Sequence, residues 1–431
     1  MLGNSTLAFL RSRLQARRFA AARDGGIALI FGLSLIPVGL MMGAAIDYNR
    51  AISVRMHLNA AADAAALTAV TQVNANLPPG QVKKTVAEFF DARALQVKDA
   101  TNVQPNITVN SSNGQRLAIV SYTADVPTSL LRLAGWDTVT VGGTASATSV
   151  LPAFIDFHLL LDNTPSMGVG ATPADVATMV SNTSDQCAFA CHDLSANGND
   201  YYALAKKLGV TMRIDVVRQA TQRLMDTAAA TAVVGGQFRM ALHTFGTSCG
   251  PAGLNTLTSL TSNLSNVKSS AANIDLMTVP YQNFYNDQCT DYDGNFAAVN
   301  TLISTPGDGS SASKPQKVLL FVSDGVADAA YPATCTQPTT GGRCQEPITL
   351  ANCTAIKDRG IKIAVLYTTY LPLPTNGWYK TWISPFEGSI GTRMQACASP
   401  DLYFEVSPTG GIAEAMDALF KKALQKAKLS N

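Results

Sequence analysis

Twenty-two consecutive residues carry no charge: GGIALIFGLSLIPVGLMMGAAI, from Gly25 to Ile46. A helix of about 20 apolar residues spans a bilayer, so this run constrains the chain more than any other feature. Arg11, Arg13, Arg17, Arg18 and Arg23 all precede it. Basic flanks stay on the cytoplasmic side. The asymmetry predicts a cytoplasmic basic tail at 1–24, a single membrane pass, and everything after about Asp47 outside. A cleaved signal peptide is the competing reading, with Gly43-Ala44-Ala45 as a small-residue site. Its apolar core would exceed the ~7–15 residues usual for such peptides, so an uncleaved anchor is expected. Pro37 is tolerated in a membrane helix, with a kink.

The next segment, IDYNRAISVRMHLNAAADAAALTAVTQV, is rich in good helix formers. The helix is therefore expected to continue over 25–73, for roughly 70 Å at 1.5 Å per residue. Ile52, Met56, Asn59 and Asp63 make no clean apolar stripe, while the small residues around Ala60 to Ala66 suit close helix packing. A stalk without partners and a helix that packs beside related helices both fit. The breaker NLPPG then opens a small α+β module, 74–150. A helix is expected over Val82–Val97, followed by short strands turning at Asn113-Gly114 and Gly142-Gly143, with a short helix near Leu130–Leu133. This module carries no catalytic constellation.

From 151 to 431, apolar strand patterns alternate with helical ones. Strands are expected in AFIDFHLLLD, QFRMALHTFG, QKVLLFVSDG, IKIAVLYTT and DLYFEV. Helices are expected over Asp200–Ala232, near Leu257–Lys268, and in DGNFAAVNTLIS, TLANCTAIKDRG and GIAEAMDALFKKALQKAK. This alternation predicts an α/β domain with a doubly wound, mostly parallel sheet. Ligands of such sheets bind outside the carboxyl ends of the strands. Asp162 stands at one such end, with Thr164 and Ser166 just beyond it, and Asp324 stands at another. Two carboxylates balance a divalent ion and two hydroxyls add oxygen ligands, the donor type that Mg²⁺ prefers. The competing reading is an ordinary strand-to-helix turn.

Asp162-Asn163-Thr164-Pro165-Ser166 resembles the D-x-S/T-x-S metal-ion-dependent adhesion site of von Willebrand factor type A domains. The resemblance runs from about Pro152 to Leu424. It implies that Asp324, in FVSDG, belongs to the metal shell, and that Thr290, in CTDYDGNFAAVNTLI, is the family's intermediate-loop threonine. No glycine pair precedes Thr290. The implied cofactor is Mg²⁺, with Mn²⁺ or Ca²⁺ as substitutes. RDGGIALIFGLSLIPVGLMMGAAIDYNRA, RMHLNAAADAAALTA and VTVGGTASA resemble TadG proteins of the Flp (tight adherence) pilus-assembly system. That resemblance implies a membrane-anchored protein exposed outside the inner membrane. Its partner would be a pilus component, a secretion-apparatus component or a surface ligand, with helix-mediated association with related pilus proteins as a further option. GGIALIF lacks the glutamate of a type IV pilin start, so pilin processing is not expected.

Composition narrows the alternatives. Charged residues make up 14% of the 431 and the net charge is +2, without a basic stripe interleaved with aromatics outside the N-terminus. A nucleic-acid binder is excluded on that ground. The eight cysteines all follow the apolar run, which suits disulfides in an oxidising compartment. The connectivity is not readable from sequence; Cys187 with Cys191 and Cys335 with Cys344 are the cheapest pairs, since each brackets a short polar loop, and Cys353, in a helical pattern, could be a core residue. Cys187-Cys191-His192 is spaced too widely for a usual zinc site. Ser166 lacks the G-x-S-x-G context of a nucleophile, and no histidine or glutamate is placed as a general base. A binding protein is expected, not an enzyme. A metal-dependent hydrolase and a scaffold with a vacant metal site remain alternatives. The aromatics of YTTYLPLPTNGWYKTW either cap the domain or face a partner.

Overall fold

A computed structural model describes residues 26–429 apart from 76, 113, 250–252, 331–333, 371, 374–375 and 408–410. The basic tail at 1–24 lies outside the described residues. Two compact units emerge, one running to residue 111 together with 116–149, the other comprising 112–115 and 150 onward.

In the first unit, helix α1 spans Gly26–Ala69. Its first five turns expose Ile27, Leu29, Ile30, Phe31, Leu33 and Ile36. Helix α1 is long and apolar enough to cross a membrane, with a mean hydropathy of 2.2 over its most apolar stretch. From Asp47 onward one face is buried: Ala51, Val54, Leu58, Ala61, Ala62, Ala65, Ala66 and Ala69. That spacing of three and four is one side of a helix. It packs on α2 (Pro79–Ala94) and on a three-stranded sheet of β1 (Thr101–Ser112), β2 (Gln115–Pro127) and β3 (Thr138–Val150). The small residues around Ala60–Ala66 therefore serve contacts within the chain itself.

Asp47 fixes this arrangement. Its carboxylate accepts from the backbone N–H groups of Ser129, Leu130 and Leu131 at 2.8–2.9 Å, and so caps the short 3₁₀ turn Leu131–Ala134. Charge-assisted bonds of this kind are about twice as strong as neutral ones. The expected turn at Gly142-Gly143 is instead the interior of β3. A Cβ on Gly143 would strike Asn59 Oδ1 and lie 2.9 Å from the Tyr122 ring. Here glycine allows close approach of helix and sheet, and the strands are long rather than short.

The second unit is mixed α/β. In chain order it holds β4 (Ile155–Leu161), α3 (Pro173–Asn182), α4 (Tyr201–Lys207), α5 (Arg213–Thr231), β5 (Phe238–Thr244), β6 (Asn255–Thr261), α6 (Leu264–Ala271) and α7 (Tyr292–Leu302). There follow β7 (Gln316–Ser323), the hairpin β8 (Val326–Ala330) and β9 (Arg343–Pro347), α8 (Leu350–Asp358), β10 (Lys362–Thr368), α9 (Gly377–Trp382), α10 (Glu387–Cys397), β11 (Tyr403–Val406) and α11 (Ile412–Leu429). The main sheet has the order β11-β10-β7-β4-β5-β6. Every pairing is parallel except β5 with β6 at the edge.

Alternate residues of the central strands enter two cores. Phe157, Leu320 and Leu366 pack with α5, α6 and α11, whereas Leu160, Phe321 and Val365 pack with α7, α8 and α10. Burial on both faces accounts for the continuous apolar runs of β4 and β7. Two expected helices differ. Asp200–Ala232 divides into α4 and α5, because Gly209 takes φ +69° between them. Near Leu257 the chain forms β6 before α6 begins, its threonine-rich run NTLTSLT suiting a pleated edge.

Three disulfides join Cys249 to Cys289, Cys335 to Cys344 and Cys353 to Cys397. Cys187 and Cys191 are unpaired, in contrast to the expectation, and Cys353 is a bonded core residue. The sequence gap misled there: the 187–191 turn is held by the Phe189 N–H, which reaches Cys187 Sγ at 3.4 Å.

Candidate functional site

The register of the sheet brings Asp162-Asn163-Thr164-Pro165-Ser166 to one edge. Leu161 lies beside both Val322 of β7 and Thr244 of β5, and the Asp162 N–H extends the ladder to the Val322 carbonyl at 2.9 Å. Asp162 therefore emerges next to Ser323 and Asp324. Gly325, at φ +84°, turns the chain immediately afterwards, where a side chain would also strike Ile390. Asp162 and Asp324 are both 0% exposed.

Each oxygen of Asp162 has a partner. Oδ1 accepts from the Thr164 N–H at 3.0 Å and from the Thr164 hydroxyl at 2.7 Å. Oδ2 accepts from the Ser323 hydroxyl at 2.6 Å. The Thr164 and Ser166 hydroxyls stand 3.3 Å apart, and Ser166 also bonds Asp324. Asn163 fastens the loop from behind. Its side-chain amide donates to the carbonyls of Gly246 and Asp275 and accepts from the Phe245 N–H. Four of the expected residues, Asp162, Thr164, Ser166 and Asp324, thus form one cluster.

Thr290 is placed differently. Its backbone pairs with Asp328 in both directions, at 2.7 and 2.9 Å. The neighbouring Cys249–Cys289 bridge ties its loop to the segment after β5. Thr290 and Ser166 both line a cavity of about 340 Å³, together with Asp328, Arg343, Tyr370 and Trp378. Asp291 beside it caps α7 through the Gly294 N–H, and Asp293 accepts from Asn352. The aromatic segment does two jobs: Tyr379 is core, and Trp378 forms cavity wall with Arg343 stacked 4.5 Å over its ring.

Three residues join the cluster without any expectation from sequence. Ser323 bonds Asp162, and Tyr292 bonds Ser323 in turn. A serine closing the apolar run KVLLFVS was a legible signal of a polar strand end. Arg213, the first residue of α5, pairs with Asp324 through Nη1 at 3.2 Å while 1% exposed. Nothing in the helical pattern marks Arg213, since it reaches the site only through the fold.

The electrostatics follow from burial. Removal from water, and next the charge of Asp324, push Asp162 up to about 7. Burial also raises Asp324, with Arg213 opposing. Buried carboxylates without sufficient compensating charge are costly. The donors that converge here are all oxygen: two carboxylates and the hydroxyls of Thr164 and Ser166, backed by Ser323. That is the chemistry a hard cation requires, and it includes no nucleophile–base pair.

Residues 25–72 match the family model described as "Putative Flp pilus-assembly TadE/G-like". This is the segment of helix α1 and the turn after it. No curated protein matches the chain. Among solved structures, the pilus adhesin SpaC from Lactobacillus rhamnosus GG is similar at 12% identity and TM-score 0.38, over 76% of this chain and 34% of that one. The chain thus spans about a third of the length of SpaC. The PilB minor pilin from Streptococcus sanguinis is similar at 13% identity and TM-score 0.34, over 76% and 78%. The vWF domain of the type V pili tip protein Mfa5 from Porphyromonas gingivalis is similar at 11% identity and TM-score 0.38, over 64% and 97%. Backbone agreement at these scores is partial, and the reading of the site rests on its own geometry.

Proposed function

We propose that this chain is a membrane-anchored, extracytoplasmic pilus-assembly and adherence protein of TadG type. Its second unit, read as a doubly wound von Willebrand factor A domain, binds a protein partner through Mg²⁺. The pilus-assembly match over α1 supports the first half of this reading. One observation carries the second: Asp162 and Asp324 are fully buried at adjacent strand ends, with the hydroxyls of Thr164 and Ser166 between them. Asp162, Thr164, Ser166 and Asp324 would hold the ion, with Thr290 across the cavity as a fifth contributor. The ion supplies a charge-balancing, Lewis-acidic centre to which a partner's oxygen can bind. Asn163 and Ser323 keep the loop and the Asp162 carboxylate in place. On this reading the N-terminus is cytoplasmic and the second unit lies outside the inner membrane.

One observation favours a second reading, a scaffold whose metal site stays vacant: Arg213 already offers Asp324 a cation. The two readings separate in a capture experiment. Detergent-solubilised full chain is presented to purified pilus components with Mg²⁺ and with chelator. The adherence reading expects capture that needs Mg²⁺ and is lost in Asp162→Ala. Capture unchanged by chelator and by the substitution would favour the scaffold.

A further inference from the structure

Arg213 is an unusual neighbour for a cation site. The residue is 1% exposed, and its guanidinium donates from Nη1 to Asp324 at 3.2 Å and from Nη2 to the Thr369 carbonyl at 3.3 Å. The Tyr370 ring lies 5.8 Å from it. Its Nε is buried and has no partner among the described residues. A fully buried arginine with an unanswered N–H costs stability.

Two carboxylates balance a divalent ion by themselves. With Arg213 beside them, the loaded site instead carries one net positive charge. Inside a protein of effective dielectric about 20, neighbouring unit charges interact strongly, so that excess must be met by an anion. We propose that Arg213 sets the cation affinity of this site: it holds Asp324 when the site is empty and keeps divalent binding weak until an anionic donor joins. This inference rests on the metal-site reading above and adds a control to it. Arg213 acts on the ion through Asp324 and is a positioning residue. The consequence is linkage: by reciprocity, the anion strengthens the metal by the same factor as the metal strengthens the anion. An anchored protein of this kind would stay largely unloaded in Mg²⁺ alone and load when a partner's acidic group arrives.

The test is calorimetric titration of Mg²⁺ into the full chain in detergent, in chloride buffer and with added acetate as the anionic probe. Wild type should gain at least about tenfold in Mg²⁺ affinity with acetate. Arg213→Gln should bind Mg²⁺ at least about tenfold more tightly than wild type in chloride, and gain less from acetate. Arg213→Lys, which keeps the charge, should resemble wild type. Thermal unfolding checks that each variant is folded. If Arg213→Gln is not, the acetate dependence of wild type and of Arg213→Lys decides. Equal Mg²⁺ affinity with and without acetate in wild type would overturn the role of Arg213 while leaving the metal site intact. No Mg²⁺ binding under any condition would overturn both.

Discussion

At the scale of single residues, the chain separates buried charge that converges on an edge from buried polarity that merely supports the sheet. His158 and His243 belong to the second kind. Their rings stack on adjacent strands with Nδ1 of one 3.4 Å from Nε2 of the other, and His243 also meets Thr256. Burial lowers both, to about 4, from an ordinary value of 6.5. For His158 the neighbouring His243, Lys317 and Arg239 add to this, and Asp156 opposes. A folded-state pKa below the unfolded one means that the unfolded chain binds more protons between these values. Stability is therefore lost as pH falls from about 6.5 to 4, by up to about 3 kcal/mol for each ring. Asp162 and Asp328, raised by burial to about 7 and 6, contribute with the opposite sign. The measurement is consequently a difference: urea unfolding of wild type against His158→Leu/His243→Asn across that window. Wild type should lose more stability on acidification, and identical slopes would contradict the assignment. Asp162, Thr164, Ser166 and Asp324 were legible because polar residues ending apolar strands stand out. Arg213 was not, since its meaning depends on a partner 111 positions away.

At the scale of elements, α1 changes character at Asp47, from an exposed apolar helix to one that buries an alanine-rich face on its own unit. The length of α1 followed from the absence of breakers. Its buried face did not, because alanine does not announce which side of a helix it favours. The same limit explains Gly142-Gly143, where close packing rather than a turn accounts for glycine, and the strand at Asn255–Thr261, where a short polar run fits either period. Two substitutions test the helix–sheet contact. Asp47→Ala removes one carboxylate from three backbone donors and should destabilise the first unit by about 1–3 kcal/mol. Gly143→Val should do at least as much, since its branched side chain would enter the space of Asn59 and Tyr122. Thermal unfolding of the full chain, followed by hydrogen exchange in β3, reports both. Unchanged protection of β3 in Gly143→Val would show that helix and sheet do not approach as described.

At the scale of the whole molecule, an apolar helix matching a pilus-assembly family precedes an α/β unit fastened by three disulfides. Closing loops of 40 and 44 residues is worth on the order of 4 kcal/mol each. Thiol counting on native protein, unfolded without reductant, should find two thiols, at Cys187 and Cys191, and reduction should lower the melting temperature of the second unit. Finding eight thiols would place that unit in a reducing compartment and contradict the proposed topology. The edge carrying Asp162 and Asp324 is proposed to take up a divalent cation. The most direct measurement is calorimetric titration of Mg²⁺, with acetate present, into full-length wild type, Thr164→Ser and Asp162→Ala. Wild type and Thr164→Ser should bind one ion with similar affinity, because the hydroxyl is retained, and Asp162→Ala should bind none at that site. Equal Mg²⁺ binding by wild type and folded Asp162→Ala would contradict the account and leave DNTPS as a strand-to-helix turn.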